Sequence, residues 1–315
     1  GFIDLQVNGF AGVDFSDDAL TEESFRYACH TLLARGTAAF LPTLITSGEP
    51  CLRRNLTLMV SALKKDATLA RHILGFHLEG PFISKEPGAV GAHDPVAVHA
   101  PDCDYFDRLN TWAEGHVRVL TLAAELPGAA DLARHAVSCG VAVSCGHQLA
   151  GADDLARMAE AGVTALTHLG NGMPNRVHRH NNPLLTGLAE ERLKILFIPD
   201  GHHLPRHVLK VFARAAGPDR LIATSDASPA AGLPPGTYNV LGNIAVLEPD
   251  GSTTVSWDVV PIYPSTPMLL DIAAIQRLYG ANMNWHTGND VYTFDPDTPF
   301  IMTLWDAGGV DTISA

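Results

Sequence analysis

VAVSCGH (residues 141–147) is a β-branched apolar run that stops abruptly on a histidine. Three other stretches, HLEGPF (77–82), THLGNG (167–172) and TSDA (224–227), set a metal-binding or proton-transferring side chain at the same point, just where an apolar run ends. If each run is a strand, Glu79, His147, His168 and Asp226 lie at one end of successive parallel strands. In a barrel of alternating strands and helices, that end carries the active site. A carboxylate, two imidazoles and a further aspartate suit one hydrolytic metal ion with a general base beside it.

Outward from these stretches, apolar β-branched runs alternate with helical patterns. Strands are predicted at 2–7, 37–45, 72–78, 117–124, 141–146, 163–169, 193–198 and 220–225. Helices are predicted near 21–35, 49–65, 104–113, 128–139, 151–161 and 205–216. The alternation implies βα units and a parallel sheet, and eight strands close a (β/α)8 TIM-type barrel in the α/β class. Pro42 within TAAFLPTLI leaves that strand, and so the count, open by one. The chain opens on GFIDLQVNG, already inside a strand, so a preceding segment is expected and the barrel reads as incomplete at both ends.

After about residue 230 the pattern changes. SPAAGLPPG is followed by NVLGNIAVLEPDGSTTVSW, short strands with a turn at PDG, and then by an amphipathic helix at 267–279 with Pro267 near its start. The expected organisation is a barrel over 1–250 and a short α+β C-terminal segment over 251–315.

A net charge of −13 over 315 residues argues against nucleic acid or an anionic membrane as a partner, and requires a local basic pocket for any anionic substrate. No apolar run approaches the roughly 18 residues of a membrane span. Five cysteines without a CxxC pair indicate neither a disulfide framework nor a thiolate zinc site; reduced thiols in a cytoplasm are the simpler reading.

Side chains two apart on a strand share a face, so Asp4, Gln6 and Asn8 point together into the barrel mouth, His77 joins Glu79, and Cys145 aligns with His147. A buried Glu79 costs several kcal/mol unless it is paired or bound to a cation. The bland alternatives are a salt-bridged loop carboxylate for Glu79, hydrogen-bonded core histidines for His147 and His168, and a turn cap for Asp226. Arg176 and Arg179, in the basic loop MPNRVHRHNNP, read as an anion pocket or as a solvated surface.

The motifs GFIDLQVNGFAGVDF, GFHLEGPFIS, GAHDP, SCGH, THLGNGMP, PDGHHLP and TSDASPAAGLPPGTY, taken in order over about residues 1–247, resemble the amidohydrolase superfamily and within it the N-acetylglucosamine-6-phosphate deacetylase family. The resemblance implies hydrolysis of the N-acetyl amide of an amino sugar, with N-acetylglucosamine 6-phosphate foremost. It implies Glu79, His147 and His168 as ligands of one divalent ion and Asp226 as the general base. His93 falls at the position that contacts the scissile carbonyl, while Asn171, Gly172 and His203 fall at substrate-binding positions. For His93 and His203 the alternative is a solvated loop imidazole. Gln6 and Asn8 stand where many amidohydrolases carry an HxH pair, and neutral amides are poor ligands beside imidazole and carboxylate, so one metal is expected. Zinc leads, with iron, cobalt and manganese compatible, and the family resemblance implies a homodimer. The rival readings are an amidohydrolase acting on another N-acyl or cyclic amide, and a catalytically silent fused barrel.

Residues 262–315 resemble instead the region that follows the catalytic core of serralysin-type metalloproteases, most specifically over LLDIAAIQRLYGAN. The protease zinc motif HExxHxxGxxH is absent from the chain, so no peptidase activity is expected.

Overall fold

The structure, a computed structural model, describes residues 1–241 and 243–249 and the backbone of three further strands. The chain divides into two units, Gly1–Thr266 and Pro267–Ala315. In the first, eight parallel strands form one sheet in sequential order: β1 (Phe2–Val7), β2 (Thr37–Ile45), β3 (Phe76–Glu79), β4 (Val117–Leu122), β5 (Ala142–Cys145), β6 (Ala165–Leu166), β7 (Lys194–Phe197) and β8 (Leu221–Ala223). Helices α1 (Glu22–Ala34), α2 (Glu49–Lys65), α3 (Leu69–His72), α4 (Cys103–Trp112), α5 (Ala129–Ser138), α6 (Ala152–Glu160), α7 (Pro183–Ala189) and α8 (Arg206–Ala216) lie between them. This is the expected barrel. Pro42 is accommodated in β2 because the β1–β2 register slips beside it.

Local chemistry sets the helix starts. Thr21 caps α1 by accepting from Ser24 N at 3.1 Å, and Asp102 caps α4 by accepting from Tyr105 N at 2.9 Å. Two helices escaped the sequence reading. The loop expected over MPNRVHRHNNP ends in a helix start: Asn182 caps α7 through Leu185 N at 3.0 Å and Pro183 occupies its first turn. The start of HILGFHL is the end of α3 rather than strand.

The barrel has two chemically distinct layers. Outside the sheet, Phe25, Phe76, Phe106, Leu44, Leu78 and Leu120 contribute to an apolar core. Inside, the fill is polar. His77 Nε2 meets the Thr121 hydroxyl at 2.8 Å, Thr121 meets Thr167 at 2.7 Å, and Thr167 donates to Ser144 at 2.7 Å. These four buried side chains are tolerable there because each finds a partner in the ladder.

A seam joins β1 to β8. Val7 bridges Ala227, and the Asn8 amide donates to the Ala227 carbonyl at 2.8 Å. The buried Asp4 carboxylate accepts from the Thr224 hydroxyl at 2.8 Å and from Ser225 N at 3.1 Å. Burial raises the pKa of Asp4 against the pull of these bonds.

After β8, β9 (Gly236–Val240), β10 (Asn243–Leu247) and β11 (Thr253–Val255) form an antiparallel meander; the turn expected at PDG falls in part outside the described residues. In the second unit, Val291–Thr293 pairs in parallel with Thr312–Ser314. The helix expected at 267–279 lies outside the described residues. Among the described residues no helix is long and apolar enough to cross a membrane.

Asp4→Ala removes the acceptor that the Thr224 hydroxyl and the Ser225 amide share at the seam, and should cost about 2 kcal/mol in urea unfolding with an unchanged m-value. Asp4→Asn, whose amide oxygen accepts the same two bonds, should lose clearly less.

Candidate metal centre and active site

Glu79 ends β3 and is 2% exposed. Its Oε1 lies 2.7 Å from His168 Nε2, 3.1 Å from His147 Nε2, and accepts a hydrogen bond from Gln6 Nε2 at 2.8 Å. The two imidazole Nε2 atoms stand 3.1 Å apart. The three residues expected as ligands, drawn from β3 and from the ends of β5 and β6, therefore converge.

Strand alternation alone does not produce this convergence. The Ser144 and Thr167 hydroxyls bond each other inside the barrel, so a regular continuation would send His147 and His168 outward. Both residues take positive φ, 51° and 28°, and this left-handed step turns them inward; Asp226 shares it at 52°. Non-glycine residues pay a steric penalty for that conformation, and such strain concentrates at functional sites. The expected alignment of Cys145 with His147 is corrected by the same step. Cys145 pairs in register with Leu122 and Leu166, on the apolar side of the sheet.

The hydrogen-bond network assigns the tautomers. His147 Nδ1 lies 2.8 Å from the Ala89 carbonyl, which can only accept, so Nδ1 carries the proton and Nε2 presents a lone pair to the Glu79 carboxylate. Lone pair facing lone pair calls for a shared positive charge. Without a metal, a proton on His168 serves: burial opposes its charge, but the bond to Glu79 overrides burial and raises its pKa to about 9. Glu79 itself is held well below the usual carboxylate range, burial notwithstanding, by His147 and His168 when those rings carry the shared proton. A divalent ion fits the same place, with the Ala89 carbonyl orienting its imidazole ligand from behind.

His93 is the complementary case. Its Nδ1 accepts from Thr46 N at 3.1 Å, so in the neutral ring the proton sits on Nε2, 3.2 Å from His147 Nε2 and 3.7 Å from Glu79 Oε2. Burial, then the neighbouring His147, pushes its pKa well down, and the ring remains a neutral donor aimed at the centre. Asp226 accepts from Asn8 Nδ2 at 2.7 Å. Burial and then the charge of Glu79 raise its pKa, while His168 and His203 pull it down. His203 Nδ1 is fixed by Asp200 at 2.6 Å.

Asn171 folds back onto the His168 carbonyl through its backbone N at 3.0 Å. Gly172, at φ 57°, lies against the His147 ring so closely that a Cβ would come within 3.0 Å of Nδ1. Gly91 approaches the same ring, its Cβ position 3.1 Å from His147 Cε1. Arg176 and Arg179 are exposed in the loop after β6, and no contact ties them to the Glu79 cluster. Sequence reasoning passed over Thr46, Ala89 and Gly91. Ala89 acts through its backbone carbonyl, which leaves no residue-type signature; Thr46 meets His93 Nδ1 with both its amide and its hydroxyl, the latter at 2.9 Å, and Gly91 acts by lacking a side chain. His77 is a core histidine. Its Nδ1 donates to the Leu5 carbonyl at 3.0 Å, and burial lowers its pKa to about 4.

No family model matches the chain. It is 35% identical over 279 residues to N-acetylglucosamine-6-phosphate deacetylase of Bos taurus, covering 83% of this chain and 66% of that protein, just under two thirds of its length. It is 31% identical over 241 residues to N-acetylgalactosamine-6-phosphate deacetylase of Escherichia coli O157:H7, covering 76% and 62%. The crystal structure of N-acetyl-D-glucosamine-6-phosphate deacetylase from Mycobacterium smegmatis superposes with a TM-score of 0.76 at 30% identity, covering 88% of this chain and 70% of that one. These comparisons give no support to a serralysin-type reading of residues 262–315.

Gly172→Ala places a methyl group against the His147 ring and strains the loop. The purified variant should remain folded by circular dichroism yet retain less than half the wild-type metal by elemental analysis.

Proposed function

The chain belongs to the N-acetylglucosamine-6-phosphate deacetylase family, and we propose that it hydrolyses the N-acetyl amide of N-acetylglucosamine 6-phosphate to acetate and glucosamine 6-phosphate. The observation that carries this reading is the meeting of Glu79, His147 and His168 within 2.7–3.1 Å of one another, from elements up to 89 residues apart. These three would hold one divalent ion, with zinc the leading candidate for a carboxylate–imidazole set. When bound, the ion supplies Lewis-acid polarisation of the amide carbonyl and acidifies water.

The protein's own groups divide the remaining work. Asp226, with its raised pKa and its orientation fixed by Asn8, takes a proton from the attacking water and returns it to the departing amine. His93 offers Nε2–H to the oxyanion that develops on the carbonyl oxygen, and its low pKa keeps it a donor without a competing charge. Gln6 and Asn8 are engaged as donors to Glu79 and Asp226, and this role fits a mononuclear centre. Asn171, Gly172 and His203 border the sugar. Arg176 and Arg179, on the loop at the same barrel end, supply positive charge for the 6-phosphate in an otherwise acidic protein. The free cysteines fit a reducing, cytoplasmic setting. The Escherichia coli relative favours the epimeric N-acetylgalactosamine 6-phosphate as the second reading.

Asp226→Asn should lower kcat for acetate release about 10²–10⁴-fold with metal content unchanged. Glu79→Gln should lose metal and turnover together. If both variants keep wild-type turnover of either N-acetylhexosamine 6-phosphate, the assignment is wrong.

A further inference from the structure

A second convergence of metal-competent side chains lies on the outside of the barrel, where α4 packs against α5. Asp107 of α4 sits 2.7 Å from His135 Nε2 of α5, and Cys139, one turn beyond His135 at the C-cap of α5, brings a third donor type. One ligand atom from each falls within 4.8 Å of the others. Tetrahedral zinc, with bonds of about 2.0–2.3 Å, separates its donors by roughly 3.5 Å. Side-chain rotations of about 1 Å therefore suffice to close the set. His135 and Cys139 are spaced i, i+4, so they occupy one face of the helix.

The surroundings favour a cation. Asp102, Asp104, Asp107 and Asp131 all act on the nearby Cys103, whose pKa is raised first by burial and then by these charges. The guanidinium groups carried by the same two helices are committed elsewhere, Arg134 to Asp131 at 2.6 Å and Arg108 to Glu49 at 3.6 Å. The carbonyl end of α5 adds a partial negative charge. The donor set also discriminates. Carboxylate, imidazole and thiolate together suit zinc and its borderline-soft neighbours, and a thiolate is a poor ligand for magnesium or calcium.

We propose that Asp107, His135 and Cys139 form an exterior site for a divalent cation of the zinc class, pinning α5 to α4 and chemically separate from the Glu79 centre. On binding, the Cys139 S–H bond breaks, its proton passes to solvent, and the sulfur donates to the metal. Asp107 and His135 complete a three-ligand set, with solvent in the remaining position.

Sulfur makes the site separable by spectroscopy, because Glu79, His147 and His168 contain none. Titration of the full chain with cobalt(II) chloride should produce a near-ultraviolet thiolate-to-cobalt charge-transfer band together with a second bound equivalent. Cys139→Ser should abolish the band while leaving deacetylase turnover unchanged, and His135→Ala should weaken cobalt binding at least tenfold. The band should persist in Cys103→Ser, and also in Glu79→Gln, whose inner centre is emptied. Absence of the band in the parent protein, its survival in Cys139→Ser, its loss in Cys103→Ser, or undiminished affinity in His135→Ala would each overturn the proposal.

Discussion

The arrangement depends on one carboxylate being kept ionised where water cannot reach it. Glu79 is buried at the end of β3, and a lone charge there would be expelled or neutralised. It persists because Gln6, His147 and His168 all converge on the same oxygen. Those contacts come from β1 and from the ends of β5 and β6, so the charge holds distant parts of the barrel in register as well as preparing a place for a cation. Stability and chemistry share the same atoms.

The polar fill beneath supports this centre. A ladder from the Leu5 carbonyl through His77, Thr121 and Thr167 to Ser144 crosses the barrel interior with every link at 2.7–3.0 Å. A hydrogen-bonded ladder has directional preferences that an aliphatic core lacks, and so it limits how far neighbouring strands can slide. His77, kept neutral, belongs to this scaffold although it lies only two residues from Glu79.

Much of this was legible in the residues. β1 and β2 fall where their apolar runs place them, and Glu79, His147, His168 and Asp226 all lie at the carboxyl ends of strands. What alternation could not convey was direction. His147 and His168 reach the centre only through a left-handed backbone step, and nothing in SCGH or THLG announces its φ. The groups that fix the tautomers, the accepting Ala89 carbonyl and the donating Thr46 amide, were invisible for a related reason: they are main-chain groups. α7 is a different kind of miss. Asn182 and Pro183 form a recognisable start signal, but the helix they open is only seven residues long, too short for its apolar residues to show a clear period.

The seam between β1 and β8 bears on how the molecule is made. Asp4 with Ser225 and Asn8 with Asp226 span 221 and 218 residues, whereas Glu79, His147 and His168 are all translated well before Asp226 appears. A chain emerging from the ribosome therefore carries the three proposed ion-binding donors before it can close the barrel, and contacts of such long sequence separation form slowly. An ion captured early by the nascent chain would serve as a template around which the last strand docks.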